Sequence, residues 1–244
     1  MYESKFYILK VLYTLNPFSL YMKAEMKVEL LSHTPSEAIC ATAAHCCVSQ
    51  KIDIIDGEEN IRKSTRHSIQ SGHDSILEHW SATFAISGVS RAFLAQLSRH
   101  RLISLSVQSQ RYVNMNGFDY VIPESIENDE KVKEKYVEFM RATSDLYEIM
   151  TELHNIKEED ARYILPNACT TNIVFTANAR ELKHIFSLRT CNRTQKEFRD
   201  VANEMMKICK EVAPIIFEGA GTQCERTGYC VESRGCGKYP KKKC

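Results

Sequence analysis

The sequence predicts a single α/β domain. Three segments alternate apolar and polar side chains in the manner of strands: Met26–Leu31, Trp80–Ser87 and Thr170–Ala177. Segments of helical spacing separate and follow them, the longest running from Glu127 to Leu153. The 244 residues are 43% hydrophobic, enough for one soluble domain with a sizeable core.

Composition narrows the function. No apolar run is long enough to span a bilayer, so no membrane association is expected. A formal net charge of +1 gives no basic field for nonspecific nucleic-acid binding. Six of the ten cysteines (Cys40, Cys46, Cys47, Cys169, Cys191, Cys209) lie in helix-like or strand-like segments. They read as small hydrophobes of a reduced, cytoplasmic protein. The other four, Cys224, Cys230, Cys236 and Cys244, sit among Gly, Lys and Arg with five, five and seven residues between them. That spacing is looser than a zinc knuckle, and a flexible tail without metal is expected.

The chain divides into an extension (residues 1–25), a domain (26–218) and the tail (219–244). In the extension Phe6–Tyr13 is apolar, and Asn16-Pro17 breaks it. Glu3, Lys10 and the lack of a clear cleavage site argue against a secretory signal. No catalytic role is expected there.

After the first strand, Thr34-Pro35-Ser36-Glu37 reads as a capping box opening a helix to Val48. A second helix spans Glu58–Gln70 and stops at Gly72. His67, His73 and His79 follow at intervals of six, poor spacing for one helix face and no basis for a metal site. Glu78 and His79 read as a buried polar pair. The strand Trp80–Ser87 leads to a helix over Val89–Leu97 with Phe93, Leu94 and Leu97 on its buried face. The cations Arg99, His100 and Arg101 would occupy its last turn, where the helix dipole favours them. A hydroxyl-rich loop follows, then Arg111-Tyr112-Val113 as a strand entry and Phe118–Pro123 as a strand end. Val132, Tyr136, Met140, Thr143, Tyr147 and Met150 mark the core face of the long helix. A short helix Glu158–Leu165 ends at Pro166. Asn178 caps a helix that places Arg180 and His184 on one face. The last helix spans Thr194–Phe217, and Gly219-Ala220-Gly221 closes the fold.

The stretch Ser98–Tyr112 carries the chemistry. Arginine makes planar, paired contacts with phosphate. Arg99 and Arg101 flanking His100, a hydroxyl-rich loop and Arg111 can surround a phosphorylated ligand. As plain structure, the same residues are a helix end whose cations meet its dipole.

Arg99-His100-Arg101, seven residues, then Ser109, with Arg111 two residues on, resembles the signature of the flavin-dependent thymidylate synthases, the ThyX family. The resemblance covers about residues 26 to 218. It includes Gly72-His73-Asp74-Ser75-Ile76-Leu77-Glu78-His79, an arginine before Leu165-Pro166, Asn178-Ala179-Arg180 with His184, and Leu188-Arg189. It implies a small mixed sheet flanked by helices. It implies a homotetramer with active sites shared between subunits. It also implies reductive methylation of dUMP to dTMP, with methylenetetrahydrofolate as carbon donor and FAD, reduced by NADPH, as hydride source.

Carried over by residue, Gln96, Arg99, Gln108, Ser109, Gln110, Arg111, Arg162 and Arg189 contact dUMP. His73, Ser75, Arg99, His100, Arg101, Asn178, Arg180 and His184 hold FAD. Arg189 is the catalytic choice: an arginine at the N3–C4 edge stabilises negative charge developing on the uracil ring. Some family members carry an acidic residue where this chain has Val107, so any contact from that side chain is missing.

No Gly-x-Gly-x-x-Gly and no P-loop is present, so a flavin would be held by scattered side chains. No Pro-Cys-His trio marks the cysteine-using thymidylate synthases. No histidine is placed to act as a base for Ser109, which is therefore assigned to binding. Two rivals remain. One is a nucleic-acid binder with Tyr112 and Tyr120 as stacking surfaces. The other is a flavoprotein acting on a different nucleotide.

Overall fold

The computed structural model describes residues 23–242. The expectations for residues 1–22 and for Cys244 lie outside the described residues. The chain falls into two compact units. One comprises Glu25–Gln108 and the chain from Thr171 onward; the other comprises Ser109–Thr170 with Lys23 and Ala24.

The larger unit is built on a four-stranded sheet of β1 (Lys27–His33), β2 (Ser81–Ser90), β3 (Ile103–Val107) and β4 (Thr170–Asn178), in the order β1-β2-β4-β3. β1 pairs antiparallel with β2, and β3 with β4. In the centre, Ala179 N–H donates to the Trp80 carbonyl at 2.8 Å and the Thr83 and Thr176 hydroxyls meet at 2.9 Å. Advancing along β2 therefore retreats along β4, and the sheet is antiparallel throughout rather than mixed.

Alternation places one face of the sheet in the core. Ala82, Phe84 and Ile86 of β2 and Ile173, Phe175 and Ala177 of β4 are buried together. Helices cover that face: α1 (Ala38–Cys46), α2 (Glu58–Gln70), α3 (Arg91–Leu97) and, after β4, two more described below. Near the end of β2, Gly88 has φ +66°, and a Cβ there would sit 1.9 Å from the Glu25 carbonyl oxygen. Only glycine fits that approach.

Two local expectations give way to tertiary partners. The capping box before α1 does not form. Thr34 Oγ1 instead accepts from Ser81 N–H at 3.1 Å, and the Glu37 carboxylate accepts from Ile216 N–H at 2.7 Å. Glu78 and His79, expected as a buried pair, are both exposed at the end of a 3₁₀ turn, Asp74–His79.

The signature stretch also folds differently. α3 stops at Leu97, so Arg99, His100 and Arg101 lie in the turn beyond it. The segment read as a loop contains β3. There Ile103, Leu105 and Val107 pack towards the core while Ser104 and Ser106 are exposed, a period of two. Ser90 caps α3 by accepting from Phe93 N–H at 3.0 Å.

In the smaller unit α4 (Glu124–Glu127) precedes the long helix α5 (Glu130–Glu148), capped by Asp129. Its last turns widen to π geometry at Ile149–Leu153. Met140, Thr143 and Tyr147 of the expected face are buried, with Met115, Phe118, Tyr120 and Cys169 around them. The short helix α6 (Glu158–Ala161) continues into a 3₁₀ turn, Arg162–Ile164. The strand end expected at Phe118–Pro123 is reduced to two isolated bridges, from Tyr120 to Lys23 and to Cys169. The strand expected at Arg111 is a turn.

The larger unit ends with α7 (Ala179–Arg189), α8 (Lys196–Val212) and α9 (Gln223–Thr227). α9 lies beyond Gly221, where the sequence placed the end of the fold. Among the described residues no helix is long and apolar enough to cross a membrane.

Candidate active site

Three polar side chains of the larger unit interlock beneath the α3–β3 turn. His100 is 7% exposed, although Arg99 and Arg101 on either side of it are exposed. Its Nδ1 lies 3.2 Å from Glu181 Oε1, and Arg189 Nε donates to its Nε2 at 3.1 Å. Asn178 starts α7 by accepting from Glu181 N–H at 2.9 Å. Glu181 and Arg189 lie eight positions apart on that helix, and the ring of His100 bridges them. The Arg189 guanidinium also stacks over Phe198 of α8, 4.8 Å from the ring centre. Phe198 in turn meets Phe93 edge-on at 4.8 Å, which ties α8 to α3.

The electrostatics of the trio favour a neutral imidazole. Burial pushes the His100 pKa below its ordinary value, the Arg189 charge pushes it further, and Glu181 opposes both. Burial also lowers the pKa of Arg189, which as a guanidinium stays charged. His100 was expected at the flavin; here both its ring nitrogens are engaged by protein partners.

Arg189 borders a cavity of about 430 Å³. Gln96, Leu188 and Gln195 share its wall, and the Gln96 amide donates to the Gln195 carbonyl oxygen. The structure thus brings together Gln96 and Arg189, two residues assigned to the nucleotide. Cys191, Arg193 and Thr194, between α7 and α8, add to it, and the rest of the wall comes from the tail, with Thr222, Cys224, Arg226, Cys230, Cys236 and Tyr239 among its residues.

Specific contacts hold the tail there. Thr222 and Glu225 form a reciprocal capping box at α9. Glu225 pairs with Lys238 at 3.3 Å, and Arg193 pairs with Glu232. Cys230 N–H donates to the Pro240 carbonyl at 2.7 Å. These contacts differ from the flexible segment expected from composition. Cys236 lies 3.7 Å from the Asn192 amide, and hydrogen bonds, led by the Lys238 backbone, lower its thiol pKa. Although four cysteines line this cavity, among the described residues no three donors are placed to hold a metal.

A second group gathers where α7 meets the Asp74–His79 turn. Arg180 donates to Glu78 at 2.5 Å, and this ion pair raises the arginine pKa. His73, Ser75 and His184 are exposed. The His184 ring stands edge-on to His100 with centres 6.0 Å apart. Gln108 N–H donates to the Asn172 carbonyl at 2.9 Å and extends the β3–β4 ladder.

In the smaller unit Ser109 Oγ accepts from Arg111 N–H at 3.2 Å, a turn-forming contact. Arg111 pairs with Glu159 at 2.8 Å, and Arg162 Nε donates to the Glu159 carbonyl at 3.1 Å. Gln110 contacts the Cys169 thiol at 3.7 Å. Tyr120, proposed above as a stacking surface, is 3% exposed and cannot receive a base.

The profile of the family described as "Thymidylate synthase complementing protein" matches residues 29–215. The chain belongs to the flavin-dependent thymidylate synthases. It is 44% identical over 222 residues to the flavin-dependent thymidylate synthase of Geobacter sulfurreducens, covering 87% of this chain and 94% of that one. It is 40% identical over 237 residues to that of Nitratidesulfovibrio vulgaris, covering 89% and 97%. Among solved structures it resembles thymidylate synthase X from Helicobacter pylori, crystallised with FAD and dUMP, at TM-score 0.67 and 29% identity, over 80% of this chain and 99% of that one.

For this flavin-dependent thymidylate synthase, sequence reasoning missed Glu181, Gln195 and the tail wall. Glu181 had a readable signal, because it follows Arg180 at a capped helix start. In the tail the capping-box spacing of Thr222 and Glu225 was readable, whereas the ties of Glu225 to Lys238, Arg193 to Glu232 and Cys230 to Pro240 join residues farther apart in the chain.

Proposed function

We propose that the enzyme methylates dUMP to dTMP, taking the carbon from methylenetetrahydrofolate and the hydride from FAD reduced by NADPH. The observation that supports this reading is the cavity flanked by Gln96 and Arg189, in a chain of this family.

Arg189 faces the pyrimidine in this scheme. C5 of uracil is a weak nucleophile, and a fixed cation beside the N3–C4 edge stabilises charge that develops there as C5 attacks. Gln96, on the cavity wall, positions the nucleotide, and Arg99 and Gln108, which do not line the cavity, are assigned to it on the resemblance. Ser109, Gln110, Arg111 and Arg162 are assigned to it on the resemblance alone.

The residues assigned to FAD fit an anionic dinucleotide. Arg99, Arg101 and Arg180 are exposed cations suited to the pyrophosphate, and His73, Ser75 and His184 are exposed polar groups. Asn178 spends its oxygen on the helix cap, leaving its amide N–H groups to face a ligand. When bound, FAD supplies the hydride chemistry; these side chains orient it and balance its charge. His100 is assigned to FAD on the resemblance, and its ring nitrogens meet Glu181 and Arg189. A homotetramer in the cytoplasm is part of the proposal.

The absorption spectrum of the purified protein, recorded before and after anaerobic NADPH and with and without dUMP, tests it. Oxidised-flavin bands that bleach with NADPH and shift with dUMP are expected. A colourless protein that takes up no added FAD overturns the reading. Flavin binding without dUMP-dependent turnover would move the activity to another nucleotide. Sedimentation equilibrium at four times the chain mass is the expected result for the assembly.

A further inference from the structure

We infer that Glu181 is a positioning residue that, through the tautomer of His100, holds Arg189 beside the Gln96 cavity. The inference rests on the proposed role of Arg189 towards dUMP.

The argument is one of donors and acceptors. An arginine Nε–H only donates, so His100 Nε2 must offer its lone pair at the 3.1 Å contact. The imidazole is then neutral, with its proton on Nδ1. A carboxylate only accepts, and Glu181 Oε1 stands 3.2 Å from that nitrogen. Glu181 thus selects the one tautomer that gives Arg189 an acceptor. Both His100 and Glu181 are buried, so water does not compete for either contact.

Protonating His100 sets two donors and two positive charges against each other at Nε2, which drives Arg189 out of place. The titratable groups against the ring are Glu181, His184 and Arg189, all from α7, while α8 presents Phe198. Glu181 is the one anion in that set. Arg99 and Arg101, on the same turn as His100, are exposed. Glu181 does not touch the nucleotide in this scheme; it acts through His100.

Calorimetric titration of dUMP into the FAD-loaded protein between pH 5 and 8 tests this. The ligand's own phosphate titrates near pH ~6 in every case, so differences between variants carry the result. His100→Gln presents an amide N–H to Glu181 and a carbonyl to Arg189 without a titrating ring. With its own pH 8 affinity as reference, it is expected to lose the extra fall in affinity at acid pH. Glu181→Gln removes the carboxylate that fixes the tautomer. Roughly threefold to tenfold weaker binding at pH 8 is expected, with the acid limb moved to lower pH. Arg189→Ala is expected to weaken binding by more than about tenfold at every pH. If His100→Gln and Glu181→Gln both keep the wild-type pH profile while Arg189→Ala loses binding, the positioning role is wrong and the site reading survives. If Arg189→Ala binds dUMP normally, the site reading itself fails. Circular dichroism of each variant separates these outcomes from misfolding. A Glu181→Gln protein that does not fold leaves the decision to His100→Gln.

Discussion

The backbone amide and the hydroxyl of Ser90 both donate to the Glu197 carboxylate, each at 2.6 Å. Ser90 is 3% exposed and also caps α3, so one carboxylate at the start of α8 fixes the start of the helix that leads to Arg99 and His100. Hydrogen bonds to a charged group contribute more than neutral ones. Glu197→Ala is expected to destabilise the protein by about 2–3 kcal/mol, read as a lower urea midpoint at unchanged slope.

Acid should destabilise the native state through His100. Its folded pKa lies below the ordinary histidine value of about 6.5. Between that value and the lower folded one, the unfolded chain binds a proton that the folded chain does not. The stabilisation is complete above the unfolded pKa and is lost as pH falls through this window. Melting temperatures of wild type and His100→Gln from pH 5 to 8 should diverge, wild type falling more steeply on the acid side. Parallel curves would remove His100 as the source.

Arg180 should serve FAD rather than folding. Its ion pair with Glu78 is exposed on both sides, and such pairs contribute little to stability. Arg180→Ala is expected to weaken FAD binding roughly tenfold, measured by fluorescence quenching, with an unchanged melting temperature. An equal loss of stability would mean that the residue holds the fold instead.

The tail should matter to dUMP binding if the cavity beside Arg189 is the proposed nucleotide site. Ending the chain at Gly221 removes one wall, including Arg226 and Tyr239, but leaves the sheet and its helices intact. The expected product is a folded protein with weaker dUMP binding, measured by calorimetry. Unchanged affinity would make the tail a cover without a part in binding.

Cysteine reactivity should follow the thiolate. Burial pushes the Cys40 and Cys209 thiols up to about 12, whereas hydrogen bonds lower the pKa of exposed Cys236. Brief iodoacetamide treatment followed by peptide mass mapping should show Cys236 modified while Cys40 and Cys209 are untouched. Early labelling of Cys209 would mean that α8 opens readily.

Much of the framework was legible because its signals are local. Glu58–Gln70 formed as a helix over the bounds read from sequence, and Asn178 supplies the side-chain cap of α7, whereas Ser90, read as part of a helix, turned out to cap α3. The misread elements had competing partners. Thr34 and Glu37 have the spacing of a capping box, yet each accepts from a distant backbone N–H instead, Ser81 and Ile216 respectively. The serines between Ile103 and Val107 resemble a loop, yet their alternation with apolar residues suits a strand beside β4. Glu78 and His79 stayed exposed because Glu78 meets Arg180 at the surface.

The sequence by itself determined the family, through Arg99-His100-Arg101 and Ser109, and the order of most helices and strands. Spacing and side-chain type suffice for those, because they depend on neighbours a few residues away. Only the tertiary structure decided that His100 is buried between Glu181 and Arg189, and that the tail walls the cavity beside Gln96. Those contacts join residues separated by 81 and 89 positions. No local periodicity encodes such separations; they exist once the sheet has brought α3, α7 and α8 against one core.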